Sequence, residues 1–438
     1  MNRAQFGTAV ACLALVAGIA VSGCSNKAPA QQEPAAAQGM HLDADYTGAG
    51  QEPGALSDAT TLPTVDRRLR AATSLAARIE YTSTSGVTGG TEQVTGTVFV
   101  PMGKPPEGGW PVVAYAHATT GIEPECAPSL SPTLLNSSTI VTTLVKAGFV
   151  VTLPDYQGLG LNKTYHPYLD ATTAGYNVID AVRATRKLVP EASNRWVGLG
   201  LSQGGQATWA ANELAANYNG GLALVGTVSL SPAADISGFA DAAAAGQLTP
   251  EQAPALPSIL SWLKKAHPEL NLDDYRRGIV ADKWDTLLAC SGPKAAERDK
   301  ITDQITPDDL RPSTPEAVDT LRSYLEKMSL PQGPAAAPML VIYGGKDNLV
   351  PSAWTDRALT AACGMGDVID ILTQPDKGHS DIDVSSAFGW INNRFKGEPA
   401  PNSCLSFSAA QRLGSTAQQG LGEGAEEPSA SDSGEPPA

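Results

Sequence analysis

Gly200-Leu201-Ser202-Gln203-Gly204 sets a serine between small residues in the pattern G-x-S-x-G, which marks a sharp strand-to-helix turn that lifts a hydroxyl into a cleft. With 43 glycines in the chain, the string alone carries little weight. Its flanks carry more. A β-rich run at 196–199 precedes it, and Gln206-Ala207-Thr208-Trp209-Ala210 continues it as the start of a helix. A serine hydroxyl is a poor nucleophile at neutral pH, so it needs an imidazole to take its proton and a carboxylate to fix the tautomer of that ring.

Among the five histidines, only His267 and His379 lie beyond the serine in the chain order Ser, acid, His. His267 sits in the charged string Lys264-Lys265-Ala266-His267-Pro268 and is expected on an exposed helix end. His379 follows the last apolar run, in the loop Asp376-Lys377-Gly378-His379-Ser380, from which a side chain can reach back across the strand ends. The acid is expected just past the preceding strand, where a glycine turn leads to Asp347. Asp376, the other candidate, is too near His379 in sequence for the usual arrangement. Acyl transfer also needs donors for the developing oxyanion. The Gln203 N–H is expected to be one and Thr119 the other, in the loop His117-Ala118-Thr119-Thr120-Gly121, where Ala118 stands in place of the usual glycine. His117 is expected to orient this loop by hydrogen bonds rather than to act in catalysis.

The elements that must position these groups follow from the apolar pattern. Short runs at 111–115, 149–153, 196–199, 223–230, 339–343 and 368–372 alternate with helical segments, which predicts an α/β fold with a mostly parallel central sheet flanked by helices. Runs at 76–81 and 93–100, separated by Gly89-Gly90, predict an antiparallel edge. The interval 233–337 is too long for a simple crossover and has helical periodicity at Ile259, Leu260 and Leu263, so an inserted helical cap is expected there. The predicted organisation is an export signal at 1–24, a flexible linker at 25–61, a core in two parts at 62–232 and 338–408 around the cap, and an acidic disordered tail at 409–438.

A hydrophobic share of 42% and a charged share of 17% exclude a disordered chain, and a net charge of −15 disfavours nucleic acid as a partner. Arg3, the apolar run at 9–21 and Ser22-Gly23 before Cys24 form an export signal too short for a membrane-spanning helix. Val21-Ser22-Gly23-Cys24 resembles the bacterial lipobox. Cys24 is thus an expected lipidation site, placing the chain on the outer face of the cell membrane, with ordinary cleavage and secretion as the alternative. In an oxidising compartment Cys126, Cys290, Cys363 and Cys404 fit two disulfides, for which the sequence allows three pairings. No zinc-spaced Cys/His cluster competes, so no metal is expected. Nothing specifies an oligomer, and a monomer is assumed.

Ala116-His117-Ala118-Thr119-Thr120-Gly121, Pro154-Asp155-Tyr156-Gln157-Gly158-Leu159-Gly160, His166-Pro167-Tyr168-Leu169, the serine turn from Gly200 to Gly204, and Tyr343-Gly344-Gly345-Lys346-Asp347 all occur in this chain. Taken together they resemble the secretory lipase family, the α/β-hydrolases typified by fungal lipase A. The resemblance implies an α/β-hydrolase fold with a cap shaping an acyl tunnel, no cofactor, and hydrolysis of carboxylic esters with long or bulky acyl groups. It also implies pairing Cys126 with Cys290 and Cys363 with Cys404. The segment 155–160 is open to two explanations, a cleft floor or a tight structural turn. The same triad could instead pass its acyl group to an alcohol or cleave amides. A non-catalytic lipid-binding lipoprotein would have no need of all three triad residues.

Overall fold

In the computed structural model, residues 39–42 and 50–412 are described. The expected export signal, Cys24 and residues 413–438 of the expected tail lie outside them. Among the described residues, nine strands form one sheet: β1 (Leu56–Thr61), β2 (Thr73–Thr84), β3 (Thr91–Pro101), β4 (Trp110–Ala116), β5 (Val150–Pro154), β6 (Ala192–Leu201), β7 (Ala223–Leu230), β8 (Met339–Gly344) and β9 (Ile369–Gln374). Their order is β1-β2-β3-β5-β4-β6-β7-β8-β9. The first three strands run antiparallel down to β5, and every later pairing is parallel.

The inner parallel strands are largely apolar because both of their faces are covered, whereas the edge strand β9 keeps Asp370, Thr373 and Gln374 half-buried or exposed. In β4, Val112, Ala114 and Ala116 pack with Val178, Ile179 and Val182 of α3 (Ala171–Leu188), whereas Val113 and Tyr115 face Val141, Leu144, Trp390 and Ile391 on the opposite layer. The helices before α3 are α1 (Arg67–Ala72) and α2 (Ser138–Lys146), and α4 (Gln203–Tyr218) follows β6 directly.

The interval between β7 and β8 is helical as expected, with α5 (Gly238–Ala245), α6 (Leu256–Ala266), α7 (Gly278–Asp282), α8 (Trp284–Leu287), α9 (Gly292–Thr302) and α10 (Pro315–Met328). These helices share a hydrophobic cluster of their own, including Phe239, Ile259, Leu260, Leu321 and Leu325, which meets the core at Tyr168, Leu169 and Val350. The chain ends its described part with α11 (Ser352–Gly364), α12 (Ser385–Lys396) and a helical stretch at 404–412 that runs past the expected core boundary at 408. No helix among the described residues is long and apolar enough to cross a membrane.

One boundary needs correction. The linker expected to reach residue 61 contains β1, which pairs antiparallel with β2 and buries Leu56 and Ala59. A register shift between Leu56 and Asp58 puts its buried side chains three apart rather than two, so the alternation that reveals a strand is missing from the sequence.

Disulfides join Cys126 to Cys290 and Cys363 to Cys404, the pairing implied by the resemblance. The first spans 164 residues and ties the cap to the loop after β4, which in the loop-entropy model stabilises the fold by at most about 5 kcal/mol.

The return from the cap is clasped by Glu213 of α4, whose carboxylate accepts the N–H groups of Gln332 and Gly333 at 2.9 and 3.2 Å. Burial pushes its pKa up to about 7. A carboxyl raised in the folded state binds more protons there than in the unfolded chain, so its contribution is present below about pH 4.5 and is lost as pH rises through 7. Wild type is therefore expected to lose up to about 3 kcal/mol between pH 5 and 8 that Glu213→Gln does not lose, measured as denaturant midpoints at the two pH values.

Candidate active site

The strand order reverses between β4 and β6, and in open α/β sheets the C-terminal ends at such a point form the natural crevice. Ser202 lies there, between β6 and α4, at φ 58° and ψ −117°. This conformation is costly for a side-chain-bearing residue, on the order of 1–3 kcal/mol, and the surrounding backbone holds it in place. The Ser202 N–H donates to the Leu230 carbonyl at 2.8 Å, while its carbonyl accepts the N–H of Gln206 at 3.0 Å and of Ala233 at 3.2 Å. Only glycines fit on either side. A Cβ on Gly200 would lie 2.1 Å from the Gly204 carbonyl oxygen, and one on Gly204 would lie 1.9 Å from that of Ala116.

His379 projects from the loop after β9, which lies close against the end of β8 because Gly344 has no Cβ to strike the Lys377 and Gly378 carbonyls. Its Nε2 is 2.8 Å from Ser202 Oγ, and its Nδ1 is 2.7 Å from Asp347 Oδ2. The other oxygen, Oδ1, accepts the N–H groups of Leu349 and Val350 at 2.9 and 2.8 Å, so the carboxylate is fixed in its loop. The side chains of Asp347 and His379 are 2% and 13% exposed, and the imidazole lines the cavity over the serine. With Nδ1–H donated to the carboxylate, the lone pair on Nε2 faces the serine hydroxyl. The arrangement is competent to draw off that proton.

The rival candidates lie elsewhere. Asp376 is 89% exposed and pairs with Lys346. His267 stacks on Tyr324 with ring centroids 4.0 Å apart. His117 is buried and its Nδ1–H donates to the Ala118 carbonyl at 2.6 Å, in keeping with an orienting role, and burial holds its pKa below the usual imidazole range. The segment 155–160 proves to be a brace behind this loop. Asp155 accepts the Thr95 hydroxyl at 2.6 Å and the Ser129 N–H at 2.9 Å, and the Tyr156 hydroxyl donates to the His117 carbonyl at 3.0 Å.

A cavity of about 730 Å³ opens over Ser202 and His379, within the range of small-molecule sites. Thr119 and Tyr168 line it from the core, and Leu287, Leu288 and Arg298 line it from the cap. Gln203 is the first residue of α4, where an amide has no intrahelical carbonyl to bond. Two contacts escaped the sequence analysis. The Gln203 side-chain amide donates to His166 Nε2 at 3.0 Å, and the Thr119 and Tyr168 hydroxyls are 2.9 Å apart. The only signal for them was the string His166-Pro167-Tyr168-Leu169, to which no role was attached.

The secretory lipase family model matches residues 131–403, a span that holds Ser202, Asp347 and His379 but not Thr119. No curated protein matches the chain. Among solved structures, Candida antarctica lipase A in its closed state superposes with a TM-score of 0.64 at 17% identity, covering 80% of this chain and 84% of that one. The rice cell wall degrading esterase LipA from Xanthomonas oryzae gives a TM-score of 0.60 at 21% identity, covering 78% and 95%. Likeness at these identities is one of fold.

Proposed function

Because the chain belongs to the secretory lipase family, a family of carboxylic ester hydrolases, we propose that it cleaves its ester through an acyl-enzyme on Ser202, with lipid or other long-acyl esters as substrates. The observation that carries this reading is the unbroken relay from Ser202 Oγ through the imidazole of His379 to Asp347, at 2.8 and 2.7 Å, beneath the cavity. His379 takes the hydroxyl proton as Oγ bonds to the acyl carbon, and the carbonyl oxygen becomes an oxyanion facing the N–H groups of Gln203 and Thr119. Collapse of this intermediate breaks the bond to the alcohol oxygen, which leaves with the proton from His379. Water, deprotonated by the same imidazole, then releases the acid and restores the serine. The family and the two disulfides fit an exported protein.

A fluorophosphonate is expected to label the folded protein at one site, mapped by mass to Ser202. A folded, unlabelled wild type would sink the proposal. Apolar lining residues such as Leu287, Leu288 and Leu349 support the choice of acyl group. Turnover should therefore rise from acetyl to octanoyl esters in a series of soluble and emulsified substrates, and a rate highest at acetyl would overturn that choice.

A further inference from the structure

We infer that the segment His166-Pro167-Tyr168-Leu169 straps the oxyanion hole into place, with His166 setting Gln203 and Tyr168 setting Thr119. The inference rests on the acyl-enzyme reading above and assigns two positioning residues to it. His166 is buried, and its Nδ1–H donates to the Gln157 carbonyl at 2.9 Å, so in the neutral ring Nε2 is left as an acceptor for the Gln203 amide at 3.0 Å. The bond to Gln203 requires the uncharged ring, since a protonated Nε2 has no lone pair to accept with. Burial keeps it so, with a pKa pushed down to about 3.

One turn further along α4, the Gln206 amide donates to the Leu169 carbonyl at 3.1 Å and to the Met328 carbonyl at 3.2 Å. Two glutamines three residues apart thus stitch the segment to the first turn of α4, whose leading amide is the proposed donor. At its other end the segment reaches the second donor, because the Tyr168 hydroxyl lies 2.9 Å from Thr119 Oγ1 at the cavity wall. Two donors, one at the start of α4 and one on the loop after β4, are in this way referenced to one short stretch of chain. This matters because an oxyanion hole acts by being fixed before charge develops.

The test separates positioning from folding. Tyr168→Phe removes one oxygen, and it is expected to lower kcat roughly tenfold with KM within about twofold, since misplaced donors weaken the transition state more than the ground state. A trifluoromethyl ketone, which forms a tetrahedral oxyanion on the serine, should weaken by the same factor. His166→Ala is expected to do likewise, and His166→Gln, which restores an acceptor near Nε2, should recover most of the loss. A folded Tyr168→Phe variant with wild-type kcat and ketone affinity would overturn the inference, as would losses confined to KM. Ser202→Ala separates the two levels. If it retains turnover, the acyl-enzyme reading itself fails; if it is inactive while Tyr168→Phe is unaltered, only the strap fails.

Discussion

Ser202→Ala is expected to fold normally and to lose about 10⁶-fold in kcat, the scale seen when the nucleophile of a serine enzyme is deleted. Among the described residues, the oxygen this substitution removes has His379 Nε2 as its one side-chain partner. The change leaves intact the backbone bonds that hold the turn, donated to the Leu230 carbonyl and accepted from the N–H groups of Gln206 and Ala233. What should survive is general: a bound ester facing the two proposed donors is expected to hydrolyse about 10³- to 10⁴-fold faster than in water. His379→Ala should cost about as much, and the double variant no more than either, because in the proposed mechanism the two side chains share one proton transfer. Turnover of a p-nitrophenyl ester, normalised by active-site titration and paired with a melting curve, measures the effect. A folded Ser202→Ala within tenfold of wild type would remove Ser202 from the chemistry.

The parts of this molecule legible in its sequence are those whose cause is local. The inner parallel strands announce themselves because burial on both faces demands largely apolar runs, as in β5 and β8, where every residue is buried. The serine turn is legible because Gly200 and Gly204 face backbone carbonyls that exclude any side chain. β1 escaped because its register shift breaks the period on which a strand is recognised. The disulfide pairing could not come from spacing, since Cys126 and Cys290 meet only through the docking of the cap. His166 and Tyr168 lie 37 and 49 residues from the partners they hold, and a contact of that range has no signature in composition or periodicity. What the sequence did offer was a short string without a local reason for its residue types, and such a string is where long-range contacts are worth seeking.

Asp347→Asn is expected to lower kcat by about 10⁴-fold while leaving stability nearly unchanged, an effect on tautomer rather than on shape. The asparagine oxygen can keep the bonds from Leu349 and Val350, which oblige its NH₂ to face His379 Nδ1. An NH₂ group offers only donors, so Nδ1 must become the acceptor and the ring proton must move to Nε2. There it points at Ser202 Oγ, which the imidazole can then no longer deprotonate. Asp347→Ala would confound this by freeing the loop amides as well, so the isosteric change is the sharper one. Asp376→Asn is the control, since that exposed carboxylate is engaged by Lys346 and is expected to leave kcat within about twofold. If Asp376→Asn proved inactive and Asp347→Asn did not, the acid would be misassigned. If neither lost activity, the imidazole would have no need of an anionic partner.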